Sequence, residues 1–159
     1  MRKWLALLGV VVIVGCSSID CPVNNVVATR YCFYDTAGDS LKLVDTLSVT
    51  STRKNGTDTL ILNKLTEKAS FSLPVSYSHP EDVLVFRFKD KKTVTNDTVW
   101  VKKDDIPHFE SVDCNASFFH TLTAVRCTKH VLDSIVIKNS SVTYDNTIVH
   151  FYVYPKVSN

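Results

Sequence analysis

The chain has 159 residues, 45% of them hydrophobic and 21% charged, with a formal net charge of +2. That length fits one domain with a sizeable core, and the near balance of charge excludes the basic stripe of a nucleic-acid-binding protein. With 4 glycines and 5 prolines, collagen-like repeats and long low-complexity linkers are excluded as well.

The chain opens on Arg2 and Lys3, followed by an apolar run from Trp4 to Val14 broken only by Gly9. That run is too short for a membrane-spanning helix, which needs about 20 residues. Positive charge followed by a short apolar stretch is the pattern of an export signal. Its end, Ile13-Val14-Gly15-Cys16, resembles a bacterial lipobox, which implies cleavage before Cys16 and lipid attachment to it. The expected organisation is a signal peptide over 1–15, a lipid anchor and short tether over 16–25, and a single β domain over 26–159. Cleavage takes Arg2 and Lys3 from the 18 basic residues and so balances them against the 16 acidic ones. Lipidation removes the odd one of 5 cysteines. Ser17 after Cys16 points to the outer membrane. Because Asp20 alone supplies acid near the anchor, the periplasm-facing leaflet is preferred to the cell surface.

From Val26 onward, short runs of Val, Thr, Ile, Tyr and Phe alternate with Asp, Asn, Ser, Gly and Pro, which is strand and turn chemistry. A strand is predicted over Val26–Tyr34, with a turn at Asp35–Asp39. Thr46–Arg53 and Thr59–Asn63 flank Asn55-Gly56, whose easy positive φ makes this the clearest hairpin. Over Ser70–Tyr77, Phe71, Leu73, Val75 and Tyr77 share one face, and Pro74 assigns that strand to an edge. Val83–Phe88 and Thr98–Lys102 form the next predicted pair. Further strands are predicted at Phe109–Cys114, Phe119–Thr128, Ser134–Lys138 and Ile148–Tyr154. The expected fold is an all-β, immunoglobulin-like antiparallel β-sandwich, with a small up-and-down or lipocalin-like β-barrel as the alternative.

Cys21, Cys32, Cys114 and Cys127 remain for disulfides in an oxidising compartment. Three connectivities are open, and Cys21–Cys114 with Cys32–Cys127 is preferred. That pairing joins the first strand region to a later hairpin. The spacings do not suit zinc.

Catalytic motifs are missing. There is no Gly-x-Ser-x-Gly, no His-Glu-x-x-His and no Gly-rich phosphate loop. No cofactor, no metal and no enzymatic activity are expected. His150 and His120 read as hydrogen-bonded sheet residues; the thinnest metal constellation joins His120 and Asp113 to another acid. The repeated tripeptide Asp-Thr/Ser-apolar resembles the O-glycosylation acceptor motif of secreted proteins of Bacteroides-type bacteria. Its acceptors are Thr36, Ser40, Thr46, Thr59, Thr98 and Ser134. The same tripeptide also arises wherever Asp ends a turn and Thr or Ser starts a strand. Trp100, Tyr152 and Tyr154 are candidates for stacking on a glycan.

Taken together, Cys16-Ser-Ser-Ile-Asp-Cys21-Pro-Val-Asn-Asn25, Phe71-Ser-Leu-Pro-Val-Ser-Tyr77 with Glu81-Asp82-Val-Leu84, His108-Phe-Glu-Ser-Val-Asp-Cys114, Phe118-Phe-His-Thr121 and Asp133-Ser-Ile135 resemble an uncharacterised outer-membrane lipoprotein family of Bacteroidales. The resemblance covers most of the chain after Cys16 and carries no activity with it. It implies a Cys21–Cys114 pair and an outer-membrane β-barrel or other envelope protein as partner. The leading expectation is a non-catalytic binding or scaffolding module held to the membrane by lipid. A glycan-binding β-sandwich module is the alternative.

Overall fold

A computed structural model of the protein describes residues 26–52, 55–111, 114 and 116–156. Among these, ten strands run in chain order: β1 (Ala28–Phe33), β2 (Thr46–Thr52), β3 (Asp58–Leu65), β4 (Ser70–Pro74), β5 (Glu81–Lys89), β6 (Val94–His108), β7 (Ser117–Cys127), β8 (Leu132–Ile137), β9 (Ser141–Val142) and β10 (Phe151–Pro155). They form two sheets, one of four strands in the order β4-β1-β10-β8 and one of six in the order β3-β2-β5-β6-β7-β9. The sheets pack face to face as the expected β-sandwich. All pairings are antiparallel except β1 beside β10, which is parallel.

Period-2 alternation builds the core. Tyr31 and Phe33 on β1, Leu47 and Val49 on β2, Phe86 and Phe88 on β5, Val99 and Val101 on β6, and Phe151 and Val153 on β10 are buried. Tyr31 lies stacked between Phe71 and Phe151, with centroids at 4.9 and 4.6 Å, and meets Phe86 of the other sheet edge-on at 5.9 Å. Such pairs add about 0.5–1.5 kcal/mol each beyond their buried area. Burial drives the Tyr31 phenol well above its ordinary range, and the Thr29 hydroxyl, 3.4 Å away, is its near polar neighbour.

β2 and β3 form the hairpin predicted around Asn55-Gly56, with Gly56 at φ 79°. β4 is an edge strand, as Pro74 requires. Of the strand predicted over Phe109–Cys114, the described residues Phe109, Glu110, Ser111 and Cys114 lie outside any strand. β6 and β7 pair from Val99↔Cys127 to His108↔Ser117, with one register shift between Lys102 and Lys103, as the two arms of one long hairpin. A turn in which the Cys114 amide donates to the Ser111 carbonyl lies between them. β6 outruns β5, whose last partner is Lys102, and the Lys103 amide there donates instead to the Pro80 carbonyl at 2.9 Å.

Candidate functional site

The two ends of the sandwich differ in chemistry. The start of β1 and the segment after β4 lie toward the β6–β7 end. There the Val75 amide donates to the Val27 carbonyl at 3.1 Å, and the segment 76–80 then packs on the extension of β6. At the β5–β6 end lie the turn at Asp90–Thr93 and the first residues of β2. β6 has 15 residues, so the ends are separated by about 45 Å at ~3.3 Å per residue.

The β6–β7 end encloses a cluster of ionisable side chains. The alternation Val99, Val101, Lys103 carries the Lys103 side chain inward, where it is 1% exposed. Its ammonium donates to the His79 carbonyl at 2.7 Å and to Asp105 Oδ1 at 2.9 Å. His120 Nδ1 lies 2.7 Å from the same Asp105 oxygen. Burial pushes His120 down, Asp105 opposes this, and Lys103 adds to it. A neutral imidazole donating Nδ1–H to the carboxylate follows. Asp82 lies alongside; burial raises its carboxyl, and Lys103 and the Ser76 amide partly restore it. The His79 Nε2 atom is buried without a partner.

A second buried carboxylate holds the corner where the chain crosses from the six-stranded to the four-stranded sheet. Asp97 is 0% exposed. Its Oδ1 accepts from the Thr128 hydroxyl at 2.6 Å and the His130 amide at 2.8 Å, with His130 Nδ1 at 3.1 Å. Its Oδ2 accepts from the Val131 and Leu132 amides at 2.7 and 2.8 Å. Burial on its own raises this carboxyl, but the hydrogen bonds from Thr128, His130, Leu132 and Val131 together outweigh it and leave it below the usual carboxylate range.

The β5–β6 end carries an open groove of about 780 Å³ flanked by Lys64, Arg87, Lys89, Lys91 and Lys92. Asp45 and Asp90 are the acids of its lining, and Val44 on its rim is 92% exposed. Asp90 is committed locally, accepting from the Lys92 and Thr93 amides.

The residues singled out from sequence are distributed as follows. Cys32 and Cys127 are both free thiols, so the expected Cys32–Cys127 bridge is not formed. The reason is parity: Tyr31 and Phe33 point into the core, which turns Cys32 to the outer face of its sheet, while Cys127 packs against the core from the other sheet. Cys114 is disulfide-bonded, and neither Cys32 nor Cys127 is its partner. Cys16, Cys21 and Asp113 lie outside the described residues. His120 is engaged with Asp105. His150, expected within a strand over Ile148–Tyr154, lies just before β10; it accepts from the Arg30 amide at Nδ1 and meets the Ser141 carbonyl at Nε2. Among the described residues no group of three His, Cys, Asp or Glu is placed to hold a metal.

Trp100, Tyr152 and Tyr154 do not form one platform. Trp100 lies on the six-stranded sheet beneath the Arg126 guanidinium, 3.9 Å from the ring centroid. Tyr152 and Tyr154 lie on the outer face of the four-stranded sheet with Tyr34, at 4.4 and 6.4 Å from its ring. Tyr34 escaped notice, although the alternation Arg30, Cys32, Tyr34 carries it to that face. Of the acceptor hydroxyls, Thr36 and Ser40 are exposed, and Thr46, Thr59, Thr98 and Ser134 are half-buried. Three of the preceding acids have structural work: Asp35 accepts from the Ala37 and Asp39 amides, Asp58 from the Thr52 hydroxyl, and Asp97 as above.

The model of a family of unknown function, DUF6452, matches residues 46–155, spanning β2 to β10. The chain belongs to this family. No curated protein matches the chain, and no solved structure does. The DUF6452 match includes Asp97, the Lys103–Asp105–His120 cluster and the five cations of the basic groove. β1, the strand that joins β4 to β10, lies before it.

Proposed function

We propose that this protein is a lipid-anchored cell-envelope protein of Bacteroidales-type bacteria. It acts without catalysis, as a binding or scaffolding module on the periplasmic face of the outer membrane. The anchor is Cys16, exposed by removal of residues 1–15, and a Cys21–Cys114 bridge ties the tether to the domain. The observation that carries the binding role is the groove beside Lys64, Arg87, Lys89, Lys91 and Lys92. Five cations around one concavity on a mature chain of balanced charge fit an acidic surface of an envelope protein, such as the periplasmic side of a β-barrel. The ionisable groups most suited to chemistry, Asp97, Lys103, Asp105 and His120, are spent on holding the fold.

The test is photo-crosslinking from position 91 in native membranes, followed by recovery through a C-terminal tag. One envelope protein should be captured stoichiometrically, and Lys89→Glu with Lys92→Glu should abolish the capture. Capture of nothing, or capture indifferent to the charge reversal, contradicts the reading. A second reading, a glycan-binding module, is favoured by the tyrosine face of Tyr34, Tyr152 and Tyr154, over which Lys138 reaches. It predicts glycan-array binding that Tyr152→Ala removes.

A further inference from the structure

The same molecule holds a surface that the binding role leaves unexplained. Among the described residues, nine large hydrophobic side chains are exposed, and five lie toward the β6–β7 end: Tyr77 against Phe118 on one face of the hairpin, Ile106 and Tyr144 on the Phe119 face, Phe109 directly after β6, and Val26 before β1. Phe109 is 66% and Tyr77 62% exposed. They are set rather than loose. Tyr77 stacks on Phe118 at 5.2 Å, and Tyr144 meets Phe119 edge-on at 5.0 Å while its hydroxyl bonds Ser117. Aromatic rings with one apolar and one polar side are the residues of the membrane–water interface.

We infer that the β6–β7 end of the sandwich lies against the lipid surface, with Phe109, Ile106 and Tyr77 inserted among the headgroups. This rests on lipidation of Cys16. Two attachments lead from that residue to this end. The direct chain runs from Cys16 to Val26, beside the start of β1, and spans at most about 35 Å. The shorter route passes through Cys114. That residue is disulfide-bonded and lies in the β6–β7 connection, and Cys32 and Cys127 are free. With Cys16 lipidated, Cys21 is the cysteine left to bridge it. Only the four residues 17–20 then lie between lipid and bridge, a reach of at most about 18 Å over five residue steps. A surface held so close meets the bilayer at an effective concentration in the millimolar range, so weak insertion of a few rings suffices to fix orientation. The exposed charges nearby among the described residues, Asp104, Asp105, Glu110 and Asp145, are acidic, with His108 paired to Glu110, so insertion is apolar and does not draw on anionic lipid. The basic groove is carried about 45 Å outward, clear of the membrane.

The experiment uses the full chain, purified from membranes with its anchor and returned to vesicles. Phe109→Trp and Val44→Trp are each made in a Trp100→Phe background, so each mature chain has one tryptophan. Both sites are exposed, and circular dichroism checks the fold. In phosphatidylethanolamine vesicles with bromine on the upper acyl chain, emission from position 109 should shift to the blue and be largely lost, whereas emission from position 44 should be unchanged. Adding phosphatidylglycerol or salt should alter neither. Equal quenching at the two sites, or none at 109, overturns the orientation while intact mass still shows lipid. A mass without lipid overturns both the orientation and the lipoprotein reading. On the unmutated chain, amide exchange at residues 106–111 should slow when vesicles are added, and residues 89–94 should not change. Protection already complete without vesicles would show a second copy covering this end and would overturn the inference.

Discussion

Replacing Asp97 by Asn keeps the size of the side chain and removes one acceptor. The carboxylate serves the Thr128 hydroxyl and His130 through Oδ1, and the Val131 and Leu132 amides through Oδ2. An amide has one oxygen, and its NH2 group must then face two donors. Whichever way it is turned, at least two buried N–H or O–H groups lose their acceptor, at about 1–3 kcal/mol each. A loss of about 4 kcal/mol follows, a large part of the stability of a domain this size. The pH dependence has a definite sign. The folded carboxyl is held below its usual range, and in the unfolded chain it returns to about 3.9. Its contribution is therefore present above that value and fades as pH falls through the folded one. Urea unfolding of the chain from Ser17 onward, at pH 7 and at steps down to pH 3, reads both effects. Asp97→Asn should be destabilised at pH 7 and should lack part of the acid slope. Asp90→Asn, at an exposed turn, is the control. A loss below about 1 kcal/mol, or an unaltered slope, refutes the reasoning.

Lys103→Met should cost about 3 kcal/mol, because Asp105 and Asp82 lose a buried cation. Since burial holds Asp82 above its unfolded value, the variant should regain stability as pH is lowered from 7 toward 5. A variant equally weak at both pH values would contradict this. Gly56→Ala should cost about 1 kcal/mol in urea unfolding through backbone strain alone, since φ is 79° and nothing lies within 4 Å of the added Cβ. Thiol titration of the denatured, unreduced native protein should find two thiols, Cys32 and Cys127, and after reduction Cys21 and Cys114 as well. In the folded state Cys127 should react slowly, because burial raises its thiol, with Asp97 adding to the effect. A count of zero before reduction would restore the Cys32–Cys127 bridge.

The strands were legible because alternation and turn residues are local signals. Asn55-Gly56 marked a real hairpin and Pro74 a real edge. Phe109–Cys114 looked like another strand because it holds Phe and Val, but the partners of β6 and β7 are decided by pairing along the whole hairpin. β9 spans two residues, too short to carry a period. Asp97 looked like the acid of a turn tripeptide, and its acceptor role depends on residues 31 to 35 positions away, which no local pattern reveals. Two further features had a usable signal. Val99, Val101 and Lys103 continue one inward alternation, which makes Lys103 a buried lysine. The same parity between Tyr31 and Phe33 turns Cys32 away from Cys127. The aromatic end and the basic end could not be seen as ends until the strand register put residues 77, 109 and 144 toward one end of the sandwich and residues 64, 87 and 92 toward the other.

Orientation and partner both depend on lipid at Cys16, so the mass of the N-terminal peptide of the native protein is the decisive measurement. The account predicts a peptide that starts at Cys16 and carries acyl chains on its sulfur and amine, with residues 1–15 absent. An unmodified Cys16, or a native chain that still begins at Met1, would contradict it.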